Sequence, residues 1–187
     1  RKTADEEKQT RLMETVFGKE HAAELIPLFK MAYPEHPLCD LVRLDHFFRP
    51  GTQKYIRLRS ALNDCTWSYL FDHEMPIDGG STPWHCADIP YVFHNTQFVP
   101  STQEDCTREL ERLIFDSVMA FARTGDPGHD GLPAWPASTP ETEQTMLFDT
   151  KPVLRPNHDR ELMPLFEKYM KPVFEANREQ ITEKAQH

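Results

Sequence analysis

The chain has 187 residues, 39% of them apolar, with 21 Lys and Arg against 30 Asp and Glu for a net charge of −9. This length gives one domain with a real core and leaves no room for two. The acidic balance argues against a phosphate-backbone binder, which would repel the polyanion it must neutralise, and no run approaches the roughly 18 apolar residues of a membrane span.

Other counts narrow the class further. No basic stretch followed by an apolar one opens the chain in the manner of a signal peptide. There are 16 prolines and only 7 glycines, and none of the glycines falls in a phosphate-cradling pattern. Cys39, Cys65, Cys86 and Cys106 include no C-x-x-C pair. This usage points to a reduced, cytoplasmic chain, with two disulfides in an exported protein as the alternative.

The pattern predicts helices first. Ala4 to Phe17 is charged with a sparse apolar side, and Gly18 ends it. Glu20 to Tyr33 carries an apolar set broken by Pro27, which predicts two short pieces or a kink. Leu38 to Phe48 places Leu41, Leu44, Phe47 and Phe48 at spacings of three and four, as in an amphipathic helix. Pro50-Gly51 punctuates it, and Thr52 is positioned to cap a helix up to Leu62.

The character changes at Asn63-Asp64. Cys65 to Phe71 is short and aromatic-rich, which predicts a strand buried on both faces at its end. A loop containing Gly79-Gly80 follows from Asp72 to Pro83. Ser101-Thr102-Gln103-Glu104 fits a capping box, and Leu110, Leu113, Ile114, Val118, Met119, Phe121 and Ala122 give the strongest amphipathic helix of the chain. Gly125 closes it. His129 to Gln144 is a proline-rich loop, Thr145 to Asp149 reads as a short strand, and Asn157 to Tyr169 is a helical region interrupted by Pro164. The polar end, 177–187, is expected to fray.

Nine histidines carry the chemical question. None makes an H-x-x-x-H pair, so neither a metal nor a cofactor is expected. Cys86 beside His85 does not by itself make a nucleophile pair. His85 stands out because it lies on a loop after a strand, from where an imidazole can reach over the sheet edge as a general base. The bland alternative is a surface or packing histidine.

Four segments together resemble a known family. Pro83-Trp84-His85-Cys86-Ala87-Asp88-Ile89-Pro90-Tyr91-Val92-Phe93 is similar to the catalytic-histidine motif of type B carboxylesterases, roughly H-G-x-E/D-[LI]-x-[YF]-V-F. Ala120 to Pro127, with Trp135-Pro136 after it, is similar to the family's F-A-x-T/S-G-D/N-P helix end. Thr145-Met146-Leu147-Phe148-Asp149 is similar to its closing T-M-x-F-D strand, and Asp45 to Pro50 to its D-x-x-F-x-x-P helix. The segments occur in the family's order and cover about residues 20–170.

The resemblance implies an α/β fold: the C-terminal part of an α/β-hydrolase, helix-rich, with a few strands of an incomplete sheet. It implies that residues 1–187 form a single C-terminal segment of a longer carboxylesterase. It assigns His85 as the general base of a Ser–Glu/Asp–His triad acting on a small-molecule ester. The G-E-S-A-G nucleophile string does not occur in the chain, so the serine, the acid and the oxyanion donors are expected upstream. Activity would then need the N-terminal half of the same enzyme, and the partner expected for the isolated chain is that half or a second copy. Nucleic acid and membrane are not expected partners. Asp45, Asp72, Glu74 and Asp88 are acids near the motif, but the family pattern assigns none of them to the triad. Two departures stand out: Cys86 replaces the usual glycine or alanine, and His94 stands where the family often has glycine. A non-catalytic, cholinesterase-like interaction domain is the alternative reading.

Overall fold

The computed structural model describes residues 5–77, 80–102 and 105–172. Gln103 and Glu104 of the expected capping box, Gly79 and the polar tail lie outside the described residues. The chain forms two compact units, one of Arg1–Gln53 with Asp159–His187 and one of Lys54–His158.

The first unit is helical. Helix α1 (Glu6–Phe17) starts where the Asp5 carboxylate accepts the Glu7 N–H, and it ends where Gly18 adopts φ 82°. Both devices satisfy backbone groups that a helix end leaves without partners. Helix α2 (Lys19–Ala32) buries Ala22, Leu25, Phe29 and Ala32 on one face. Of the two expected outcomes at Pro27, two pieces or a kink, the helix does not separate into two pieces. Pro27 and Ala23 both lie on the exposed side, so the Ala23 carbonyl that loses its backbone donor faces water. The helix of residues 162–172 has Pro164 within its first turn, where a missing N–H costs nothing. It brings Phe166 edge-on to Phe17, and Tyr169 stacks on His21 with ring centroids 3.8 Å apart.

The amphipathic helix expected over Leu38 to Phe48 is not present. Leu38–Arg43 forms a 3-10 turn, and the Asp45 carboxylate then accepts the N–H groups of Phe47 and Phe48. That side chain takes backbone donors which a helix would have used. Phe47 and Phe48 are consequently exposed. Helix α3 (Arg49–Ser60) begins earlier than the Thr52 cap predicted. Pro50 sits in its first turn, a position that suits proline, so it starts the helix.

Arg49, Gln53 and Tyr33 converge on one buried carboxylate in this unit. Asp159 accepts from Arg49 Nη2 at 2.6 Å, Gln53 Nε2 at 2.7 Å and Tyr33 Oη at 3.0 Å. Its charge is thereby matched by a guanidinium and neutral donors, which a buried carboxylate requires.

The second unit carries the sheet. Strand β1 (Ser68–Phe71) runs parallel to β2 (Gln144–Phe148), which pairs antiparallel with β3 (Val153–Pro156). The spatial order is β1-β2-β3. β1 is shorter than predicted because the Asn63 side chain accepts from Cys65 N–H and Thr66 Oγ1, drawing the segment before it into a turn. It is also less buried than predicted, since only Ser68 is buried and Tyr69 is exposed. β3 has no apolar alternation and is not legible in the sequence; among the described residues it is an edge strand returning directly from β2.

Two helices pack in this unit. The short α4 (Ile89–Val92) lies on α5 (Asp105–Thr124). The core comprises Tyr91 from α4, Leu110 and Ile114 from α5, Trp135, and Met146 and Phe148 from β2. The proline-rich loop is held to the sheet by indole bonds, Trp67 Nε1 to the Trp135 carbonyl at 3.1 Å and Trp135 Nε1 to that of Gln144 at 3.2 Å.

Candidate active site

Parallel pairing sets the geometry of the site. β1 and β2 end together, with Phe71 opposite Phe148, and the Asp72 N–H continues the ladder to the Phe148 carbonyl at 2.9 Å. Loops leaving the carboxyl ends of parallel strands are where α/β folds place their chemistry. The loop from β1 runs through a bridge between Met75 and Ser81 and then reaches His85.

His85 is exposed on a tight turn. The Ala87 N–H bonds the Trp84 carbonyl at 3.0 Å, and Cys86 has φ 70°. A positive φ at the third residue is the mark of a type II turn, and that position favours glycine. The structure therefore explains why a small, permissive residue belongs after the histidine, and it shows Cys86 adopting the conformation that glycine would take without strain. His94 takes φ 52° at the other glycine-like position, just beyond α4.

The turn is anchored on two sides. Ala87 is buried, and Tyr91, fully buried in the core, follows within α4. Asp88 occupies the N-cap position of α4, yet its side chain makes no capping bond. Its carboxylate instead accepts the Tyr69 hydroxyl from β1 at 2.7 Å. Desolvation and the Asp88 carboxylate push that phenol well above its ordinary range.

A Cβ on Gly80 would stand 2.6 Å from Glu74 Oε1, the tip of a side chain that can move aside, and it is the φ of 109° that favours glycine there. Asp45 caps its own turn, as described above. Sequence reasoning did not foresee the pairing of His73 with Asp149. His73 Nδ1 lies 3.0 Å from Asp149 Oδ1, and its ring meets Phe71 and Tyr91 edge-on. Burial works to raise the Asp149 carboxyl, but the His73 bond and the Thr150 N–H outweigh it and hold it below its ordinary value. The available signal was the parallel register, because His73 and Asp149 are the second and first residues past two adjacent strand ends.

Among the described residues, no group of three or more His, Cys, Asp or Glu side chains is arranged to hold a metal. No described helix is long and apolar enough to cross a membrane. Cys39, Cys65 and Cys86 are free thiols.

The model of the carboxylesterase family matches residues 36–164, more than half of the chain. The chain belongs to the carboxylesterase family. Among solved structures of esterases, one from the anaerobe Clostridium hathewayi, described as hydrolysing aliphatic aromatic polyesters, superposes on this carboxylesterase chain with a TM-score of 0.85 at 39% identity, covering 90% of this chain and 34% of its own. A carboxylesterase of Geobacillus stearothermophilus gives a TM-score of 0.58 at 22% identity over 87% of this chain and 36% of its own, a likeness of fold. A phenmedipham hydrolase of Pseudarthrobacter oxydans is 36% identical over 76 residues, 37% of this chain and 15% of that protein. The fold is that of an α/β-hydrolase, helix-rich, with a small three-stranded sheet. This carboxylesterase chain spans about a third of the length of the solved esterases it matches.

Proposed function

We propose that this chain is the C-terminal third of a serine carboxylesterase and supplies its general base, His85. The observation that carries the reading is the turn itself. Its residues resemble the family's catalytic-histidine motif, Cys86 apart, and it carries His85 on an exposed turn joined to β1 by the Tyr69–Asp88 bond. The serine, the acid and the oxyanion donors would come from the rest of the fold. In the complete site, His85 takes the serine proton as the hydroxyl attacks the ester carbonyl. It then returns that proton to the leaving alcohol, while backbone N–H groups hold the oxyanion. The substrate class is a carboxylic ester, in keeping with the polyester-hydrolysing relative.

By itself the chain should not turn over esters at enzyme rates, since oxyanion donors alone are worth about 10²–10³ in rate. The test is a p-nitrophenyl ester assay on the 187-residue chain and on the intact esterase that carries it. The reading expects activity in the intact enzyme alone, abolished by His85→Ala. Robust turnover by the isolated chain, or survival of activity in His85→Ala, would overturn it. An intact protein inactive toward every ester would favour the cholinesterase-like interaction domain.

A further inference from the structure

Asp88, the acidic position of the His85 motif, makes a contact with a residue outside that motif, Tyr69 of β1. Asp88 is three residues from His85 and closes the same turn, with the Ile89 N–H bonded to the Cys86 carbonyl and the Tyr91 and Val92 N–H groups bonded to the Asp88 carbonyl. An aspartate at an N-cap ordinarily turns its carboxylate onto its own helix. Here the carboxylate reaches across to Tyr69 on β1, at 2.7 Å. The Tyr69 backbone is fixed by its register with Met146, and its ring meets the buried Phe148 edge-on at 5.7 Å. The bond therefore joins the turn to a strand held by its ladder with β2 and by packing on Phe148.

We propose that Tyr69 is a positioning residue for the esterase reaction: its hydroxyl holds Asp88, and through the turn it holds the His85 imidazole at a fixed height over the sheet edge. This rests on His85 being the general base. A base must lie within about 2.6–3.2 Å of the proton it takes, and a 1 Å displacement costs on the order of 10²-fold. Cys86 increases the need for such a tether, because its strained φ 70° gives the turn a reason to relax. Tyr69 touches no reacting atom, so it acts on the rate and not on substrate binding.

The experiment uses the intact esterase and p-nitrophenyl acetate. Tyr69→Phe should lower kcat about tenfold while KM stays within twofold. Asp88→Ala should match it, and Asp88→Asn, whose amide oxygen still accepts the phenol, should recover kcat to within about threefold of the parent. The His85 imidazole resonances should shift in Tyr69→Phe and return in Asp88→Asn. An unchanged kcat in Tyr69→Phe overturns the proposal, even where thermal stability falls, because the bond would then be supporting structure only. Failure of Asp88→Asn to rescue overturns it as well. His85→Ala separates the two readings. If it stays active, the general-base assignment has failed; if it is dead while Tyr69→Phe is normal, only the positioning role has failed.

Discussion

His73 and Asp149 meet across the carboxyl ends of two parallel strands, Nδ1 to Oδ1 at 3.0 Å. The acceptor is a carboxylate held below its ordinary value, so the Nδ1 proton of His73 points at it. His73 is buried and Asp149 is half exposed. A group whose folded value is depressed contributes stability that is present above its unfolded value and is lost as pH falls through the folded one. Asp149→Asn should therefore remove part of the acid sensitivity of unfolding. At neutral pH it should cost about 1 kcal/mol, a charge-assisted bond discounted for exposure. Urea unfolding of both forms at pH 7 and pH 3 checks this. Equal costs at the two pH values would show that the carboxylate charge is not what the bond uses.

Cys86 and His94 both occupy the left-handed region. For a residue with a Cβ that region costs on the order of 1 kcal/mol. Cys86 is exposed, so its replacement reads backbone strain with little loss of packing. Cys86→Gly should be neutral or stabilising by up to about 1 kcal/mol, the relief of strain being partly offset by unfolded-chain entropy. Cys86→Val should destabilise by about 1–2 kcal/mol, because branching at Cβ is worst at positive φ. Melting temperatures of the three forms measure the order, and a valine variant as stable as the glycine one would contradict the backbone argument.

The sequence made some of this legible, for physical reasons. The α5 helix could be read because seven apolar residues fall at helical spacing; Leu110, Leu113 and Ile114 are buried, while Phe121 and Ala122 at the far end of that face are exposed. β2 could be read because Thr145 to Phe148 is short, apolar and bounded. The need for a permissive backbone after His85 was visible in the family pattern, and the φ of Cys86 supplies its cause. The Leu38 to Phe48 helix was misread because a local side-chain bond from Asp45 outweighed an apolar period. Pro27 does not split its helix because a lost ladder bond costs little on a face that meets water. The His73–Asp149 and Tyr69–Asp88 contacts depend on which strands are adjacent and in what register. No local pattern carries that information.

Asp159 is the polar centre of the helical unit. It is 1% exposed and takes bonds from Arg49, Gln53 and Tyr33. Asp159→Ala leaves the buried Arg49 guanidinium without that carboxylate, and breaking a buried pair from one side costs about 3–5 kcal/mol. Asp159→Asn keeps the shape and one acceptor and should cost roughly half as much. Chemical denaturation followed by circular dichroism gives both values. Costs below about 1 kcal/mol for the alanine variant would mean that solvent reaches the cluster.

Among the described residues β1 pairs along one edge only, with β2. Its other edge presents backbone donors and acceptors in a strand that carries Tyr69 and Phe71, and such an edge is a template for another chain. Matched esterases are about two and a half times as long as this chain, and under the proposed function the rest of the fold would occupy this edge. Purified alone, the 187-residue chain should therefore sediment with a weight that rises with concentration. Adding the complementary remainder of the enzyme should suppress that rise, because intramolecular strand pairing then competes with pairing between copies. A single monomeric species at all concentrations, with a sharp thermal transition, would show that the β1 edge is protected within this chain.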